Sequence, residues 1–261
     1  MTQTEHHPGP LVFAAAPYLN AAPLTEGMRH RKDVTLVEKA PSALAACLAS
    51  GHADAALVPV VDLLADPGLT MIDGLGVGAD GKVVSVLLQC NCPPAEVRHL
   101  TPDPRSRTSN LLAQLLLRRH WGAPSVTLST NGATADATVI IGDRAMGSRP
   151  AGHAEYDMAE EWKHMTGLPF VFAVWAYQRD HPRAAELARM ATASYAAGMD
   201  TVDTIADRFA KRIGLTPDFC RTYLTHHIRY TIGDREQHAI DRFVTLLKQH
   251  GLTPSKEPTA P

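Results

Sequence analysis

Apolar residues along this chain keep two rhythms. Up to residue 176 they fall into short runs parted by small-residue or polar stretches, and from Pro182 onward they recur every three or four positions. The run over residues 11–16 stops at Pro17, as a buried strand stops at a turn. Residues 23–28 then read as a first helical turn, with Pro23 where a helix tolerates it. Residues 34–38 alternate like a half-buried strand. Residues 41–51 predict a helix with proline inside its start and glycine just past its end. A strand over 53–59, a helical turn over 60–65 and strands over 70–73 and 83–89 continue the series. This β-α-β-α order predicts a parallel sheet covered on both faces.

The 83–89 run is long and meets Cys92-Pro93-Pro94, a stiff exit of the kind found where a chain passes between lobes. A smaller unit follows, with a strand over 97–100, a polar loop over 101–107, a leucine-rich helix over 108–120 and strands over 125–128 and 138–141. The apolar run 170–176 reads as a strand crossing back. Beyond Pro182 the pattern is helical, with stripes from Leu187, Met190, Ala191, Ser194 and Tyr195, from Ile205, Phe209 and Ile213, and from Ile240, Phe243, Val244 and Leu247. Asp234 with Gln237 resembles a capping box for the last helix, Gly251 ends it, and the polar tail over 253–261 is expected to be disordered. The expected fold class is α/β, a two-lobed clamshell with a helical C-terminal segment. Residues 1–91 and 173–261 would form the larger, discontinuous lobe and 92–172 the smaller, with the ligand cleft between them.

Composition narrows the partners. The 261 residues carry a net charge of -2, with 45% hydrophobic and 20% charged residues, ordinary values for a globular protein. That balance offers no electrostatic footprint for nucleic acid or an acidic membrane and favours a small-molecule partner. It leaves the oligomeric state open. No stretch approaches the ~20 apolar residues of a membrane span. The uncharged segment over 8–25 has no Lys or Arg before it and is broken by Pro17 and Pro23, which argues against a signal peptide and for a cytoplasmic protein. Cys47, Cys90, Cys92 and Cys220 lack zinc-knuckle spacing and read as structural thiols.

The ends of predicted strands and the start of one helix carry the candidate chemistry. In an open α/β sheet, ligands sit at the loop leaving the carboxyl end of a strand. There Asn20 offers two donors and an acceptor to a crevice, although a turn or helix-cap role explains the same residue. Ser106-Arg107-Thr108-Ser109-Asn110 opens the leucine-rich helix with more hydroxyls than one N-cap needs, and a helix start suits a carboxylate or phosphate. At the end of the 138–141 strand, Gly142 permits close backbone approach. Asp143 beside it would accept from a ligand hydroxyl, pair with Arg144 or cap a turn. The thirteen histidines show no zinc-helix spacing, and Gly74-Leu75-Gly76-Val77-Gly78 is no phosphate fingerprint. No nucleophile elbow occurs. By themselves the residues give a cleft for a small anion, with neither metal nor cofactor, and no reaction.

Several motifs then occur in order: Tyr18-Leu19-Asn20-Ala21-Ala22-Pro23-Leu24, Ala56-Leu57-Val58-Pro59-Val60, Ser106-Arg107-Thr108-Ser109 and Ile141-Gly142-Asp143-Arg144-Ala145. Glu160-Glu161-Trp162, Thr166-Gly167-Leu168-Pro169-Phe170-Val171-Phe172-Ala173 and Tyr230-Thr231-Ile232-Gly233 complete the set. Together, over about residues 11–252, they resemble the chorismate dehydratases of the futalosine route to menaquinone (the MqnA family). The resemblance implies a type II periplasmic-binding-protein-like fold. It also implies conversion of chorismate into 3-[(1-carboxyvinyl)oxy]benzoate and water, without metal or cofactor. Ser106, Thr108 and Ser109 would hold one substrate carboxylate, while Tyr18, Leu19, Ser85, Gly142, Asp143 and Ala173 would line the rest of the site. Asn20 would be catalytic. An amide has no useful proton affinity near neutral pH, so Asn20 is expected to orient the substrate or hydrogen-bond the departing hydroxyl. The base is expected to be the substrate's own enolpyruvyl carboxylate or, failing that, Asp143. Rival readings are an importer's solute receptor of the same fold, the sister dihydroxynaphthoate synthase, and a cytoplasmic small-carboxylate binding or sensing protein without catalysis.

Overall fold

In the computed structural model, residues 9–123, 125–129, 135–147 and 152–253 are described. The tail expected over 253–261 lies, beyond Thr253, outside the described residues. The chain opens with β1 (Leu11–Ala15), a 3-10 turn (Leu19–Ala21) and a short helix, α1 (Ala22–Thr25). Next come β2 (Val34–Glu38), α2 (Pro41–Ala49), β3 (Ala55–Pro59), α3 (Val60–Ala65) and the long β4 (Leu69–Ala79). A second group consists of β5 (Val86–Cys90), β6 (His99–Thr101), α4 (Arg107–Leu115), β7 (Thr127–Leu128), β8 (Ala137–Ile141), α5 (Asp143–Met146), β9 (Ala154–Asp157) and α6 (Met158–Thr166). The chain ends with β10 (Phe170–Gln178), α7 (Ala184–Asp200), α8 (Val202–Ile213), α9 (Pro217–Thr222), β11 (Arg229–Ile232) and α10 (Asp234–Gln249).

Two sheets result, one per lobe. The first is six-stranded in the order β11-β4-β10-β3-β1-β2, and the second five-stranded in the order β7-β6-β8-β5-β9. β3 is buried along its whole length, which is why its sequence is continuously apolar rather than alternating. β1 pairs in parallel with β2 and β3, but β10 runs antiparallel to β3 and β4, and β11 antiparallel to β4. The sheet is thus mixed, not the parallel one expected, because an apolar run carries no mark of strand direction. β11 also interrupts the C-terminal third, which the hydrophobic stripes had made wholly helical.

The crossings fall elsewhere than the proline punctuation suggested. The chain leaves the first sheet after Ala79, and Val86–Cys90, expected in the larger lobe, pairs with β8 and β9 in the second sheet. β10 re-enters the first sheet at Phe170, three residues ahead of the expected boundary at 173. Along the outgoing crossing Val84 takes a left-handed backbone (φ 56), alone among described non-glycine residues. Asp157 holds it there: Oδ2 accepts from the N–H groups of Val83 (2.9 Å) and Val84 (2.6 Å), while Oδ1 caps α6 at Ala159 and Glu160. One buried carboxylate therefore ties the outgoing crossing to the return path.

Aromatic contacts knit the larger lobe and join it to α6. Phe13 of β1 meets Trp175 of β10 edge-on at 5.4 Å, and Phe243 of α10 packs against Trp162 and Phe170. At the start of α10 the Glu236 carboxylate accepts from the Gly233 N–H (3.1 Å). That cap lies one position before the expected Asp234 and Gln237 pair, since Gly233, which has no side chain to give, is the N-cap. Gly251 does take the left-handed backbone expected of a stop (φ 63). Among the described residues no helix is long and apolar enough to cross a membrane, and no group of three or more His, Cys, Asp or Glu could hold a metal ion.

Candidate active site

The carboxyl ends of β1 and β3 face the start of α4 and the end of β8 across a crevice at the lobe junction. Ala16, Tyr18, Asn20, Pro59, Val86, Ser106, Ser109, Ile141, Gly142, Phe172 and Ala173 are among the residues lining it, and it encloses about 70 Å³. Sequence reading named six of these: Tyr18, Asn20, Ser106, Ser109, Gly142 and Ala173. A larger cavity of about 340 Å³ opens on another face of α4, beside Arg107, Leu111 and Arg118, but it contains none of the expected site residues. Size alone does not pick out the site, since cavities of about 460 Å³ and 420 Å³ lie elsewhere on the molecule. The crevice carries the argument because strand ends and a helix start converge on it.

On the first-lobe wall Asn20 lies in the 3-10 turn after β1. The next turn, α1, is clamped against α7, where a Cβ at Gly198 would come within 2.0 Å of the Pro23 carbonyl oxygen. Only glycine permits that approach. Behind Asn20 stands Tyr223, fully buried, from a π-helical turn (Tyr223–His227). Its hydroxyl donates to Ser85 Oγ at 2.8 Å. The Asn20 amide lies beside the same oxygen, its N–H dipole favouring the phenolate. Burial outweighs this and keeps Tyr223 well above the ordinary tyrosine range, hence neutral. Ser85, expected to line the site, is fully buried, with its carbonyl accepting from the Gly142 N–H (2.8 Å).

The second-lobe wall is built more locally. Ser106 is the N-cap of α4: its Oγ accepts from the Ser109 N–H (3.3 Å) and donates to Ser109 Oγ (2.8 Å). Ser109 has thereby filled an acceptor site and keeps its own proton for the crevice. Thr108, expected beside them, is buried away from the crevice with an unpartnered Oγ1. Gly142 has φ 70, so its backbone calls for glycine, and the Tyr18 ring lies in ordinary contact range of a Cβ placed there. Asp143 spends its carboxylate across the junction. Oδ1 accepts from the Leu19 N–H (3.0 Å) and Oδ2 from Arg212 (2.9 Å), which also donates to the Pro17 carbonyl (2.6 Å). Leu19 is buried, so its backbone, not its side chain, takes part.

A second tie joins the lobes behind the crevice. Arg107 of α4 donates to Asp62 of α3 at 2.7 Å and to the Ser42 carbonyl at 3.3 Å. Burial raises the Asp62 carboxyl to about 6, against the opposing pull of Arg107. At the rim, burial would raise the Asp103 carboxyl, but Arg105 and Arg144 together hold it below its ordinary value. Burial likewise raises the Tyr18 hydroxyl, despite nearby Arg105. Sequence reasoning passed over Tyr223, Arg212 and Asp62. The two charged residues carry no spacing signal, and Tyr223 reads as one more apolar position of a helical stretch.

The sequence model of a family described as menaquinone biosynthesis matches residues 11–249. The chain belongs to that family. It is 26% identical over 260 residues to a chorismate dehydratase of Thermus thermophilus, covering 91% of this chain and 95% of that one. To a chorismate dehydratase of Campylobacter jejuni it is 28% identical over 236 residues, covering 90% and 92%. Among solved structures, a protein from Archaeoglobus fulgidus superposes with a TM-score of 0.76 at 16% identity, covering 95% of this chain and 100% of that one. The alkanesulfonate-binding protein SsuA of Xanthomonas axonopodis pv. citri, bound to MOPS, gives 0.65 at 14% identity and 97% of each chain. These likenesses show the fold, which is periplasmic-binding-protein-like.

Proposed function

We propose that this chain is a chorismate dehydratase, a hydro-lyase that converts chorismate into 3-[(1-carboxyvinyl)oxy]benzoate and water. The observation that carries the reading is one juxtaposition: the Asn20 amide and the Ser106–Ser109 hydroxyl pair line the same crevice at the lobe junction. The family membership and the two dehydratase relatives give that juxtaposition its substrate.

The reaction breaks the ring C–H bond beside the enol ether and the neighbouring ring C–OH bond, and forms a C=C bond that completes the aromatic ring. The electron pair left by the departing proton spreads through the diene onto the ring carboxylate. Donors aimed at that carboxylate stabilise it, each worth roughly 3 kcal/mol in sites of this kind. Ser106, Ser109 and the first N–H groups of α4 are the donors for this role. Asn20 donates a hydrogen bond to the leaving hydroxyl, which receives the abstracted ring proton from the acceptor and departs as water, returning the acceptor to its starting form.

The proton acceptor is the substrate's own enolpyruvyl carboxylate. Support comes from the lining itself: among the described residues of the crevice there is no carboxylate, imidazole or amine. Asp143, the protein alternative, has one oxygen engaged by Leu19 and the other by Arg212. A crevice of about 70 Å³ is small beside the ~300–1,000 Å³ of ordinary ligand pockets, so the lobes part to admit the substrate. The reading places the protein in the cytoplasm with its doubly charged substrate.

Incubating the purified protein with chorismate tests it, with the aromatic enol ether followed by chromatography. Product formation is the expected result. Binding without product would instead leave a carboxylate-binding protein of the same fold, and no binding at all would overturn the substrate assignment.

A further inference from the structure

We propose that Arg107 is a positioning residue that closes the crevice by drawing the first-lobe wall onto the start of α4; the inference rests on the dehydration reading. Both of its hydrogen bonds cross the junction. Nη2 donates to Asp62 Oδ2 at 2.7 Å and to the Ser42 carbonyl at 3.3 Å. In sequence Arg107 stands between Ser106 and Ser109, the hydroxyl pair offered to the substrate carboxylate. Ser42 follows Pro41, and Asp62 lies in the first turn of α3, just past Pro59; both prolines line the opposite side of the crevice. One side chain thus spans the gap that the substrate has to span. Arg107 lines the larger cavity and not the crevice, so its guanidinium does not touch the substrate.

Stability alone does not account for the pair. The side chains of Asp62 and Arg107 are 5% and 15% exposed, and an ion pair buried this deeply seldom adds stability over apolar side chains of the same size. Nε of Arg107 is buried without a partner, a further cost. Its place is unfavourable as well. Arg107 is the first residue of α4, where the helix dipole repels a cation, and no acidic residue shares that turn. Two anions offset this charge: Asp62, which reaches it only when the lobes are together, and a carboxylate held at Ser106 and Ser109. Parting the lobes breaks both bonds of Arg107 and returns the two charges to water. An apolar patch at the same place would be exposed by opening and would oppose it, whereas an ion pair regains its hydration. The pair therefore favours the closed arrangement and still lets the lobes part for the substrate.

The test uses Arg107→Met in the full-length protein, which keeps much of the length and removes the charge and the donors. In ligand-free protein, small-angle X-ray scattering should give a larger radius of gyration than in the wild type, and kcat/KM for chorismate should fall about 5- to 50-fold. Arg107→Lys, whose ammonium can donate to both acceptors, should restore the wild-type radius and most of kcat/KM. Asp62→Leu should act like Arg107→Met, and the double variant should be no more open than either single one. A wild-type radius in Arg107→Met, equal losses in the Lys and Met variants, or additive opening in the double variant would each overturn the proposal. Should Arg107→Met fail to fold, Asp62→Leu must show the same larger radius. If the wild-type protein leaves chorismate untouched, the dehydration reading falls, and the scattering comparison alone decides whether Arg107 closes the lobes.

Discussion

The two walls of the crevice hold their polar groups by different means. On the second-lobe wall, Ser106 and Ser109 are bonded to each other within three residues of chain, at a helix start that needs no distant support. On the first-lobe wall, Asn20 depends on contacts from far along the sequence: the Leu19 N–H to Asp143, α1 clamped against α7, and Tyr223 behind the side chain. The field of a helix start is broad, and a carboxylate placed roughly before it is stabilised. An amide that must present one end to one leaving group has a narrow tolerance, and a displacement of about 1 Å can cost ~100-fold in rate. The difference teaches that charge can be held by local structure, whereas orientation requires tertiary structure.

That division predicts that damage to either wall lowers kcat, and that a single change costs more on the first wall, where no neighbour can stand in for Asn20. The largest effect is expected for Asn20→Ala, a loss of roughly 100- to 1,000-fold in kcat with an unchanged melting temperature, checked by product formation and thermal denaturation. A loss below about tenfold would break the division.

Next comes the pH dependence of the tie between the walls. The Asp62 carboxyl is raised in the folded protein from its ordinary 3.8 to about 6, chiefly by burial. Folding therefore favours its protonated form, so the stabilisation is fully present below about pH 4 and is lost as pH rises through about 6. A shift of about 2 pK units corresponds to at most about 3 kcal/mol. Urea midpoints measured from pH 4 to 7 should carry this slope in the wild type and lose it in Asp62→Asn.

Gly198→Ala forces a methyl into the Pro23 carbonyl. It should cost about 1–3 kcal/mol in urea unfolding and drag kcat down with it, because it shifts the turn that carries Asn20. The smallest effect is expected for Ser106→Ala, about 1 kcal/mol of stability from the lost cap. With it should come a fall in kcat smaller than that of Asn20→Ala, because Ser109 and the first N–H groups of α4 still face the carboxylate, read from initial rates.

Much of this was legible in the hydrophobic pattern, and the exceptions have physical causes. β1, α2 and β3 lie where apolar runs, proline and glycine predicted them, since burial on a sheet face or a helix stripe writes itself into the sequence. The crevice was legible where ligand-facing groups sit at strand and helix ends, as for Asn20, Ser106 and Gly142. The direction of β10 was not, because Phe170-Val171-Phe172-Ala173-Val174 would read the same in a parallel strand. Nor was the sheet of Val86–Cys90, whose apolar run continues unbroken from a crossing segment bent at Val84 by a carboxylate 73 residues away. Ser85 and Asp143 were both legible as polar residues near the site. What escaped is that each spends its polar atoms on protein partners, Tyr223 and Arg212, across the junction.

The place of β10 in the first sheet has a consequence for how the protein is made. β10 lies between β4 and β3, so those two strands have no pairing with each other, and the strand that joins them is translated after the whole second lobe. A chain growing from its N-terminus thus leaves β4 without a partner strand and β3 with one open edge until residues 170–178 emerge. The inserted lobe, whose strands span residues 86–157, has all its pairings within itself and can form first. The larger lobe then closes late, through contacts of high sequence separation, which slow folding. Asn20 is among the earliest residues synthesised, yet it gains its setting only when Tyr223 arrives, so the crevice is among the last parts of the molecule to be completed.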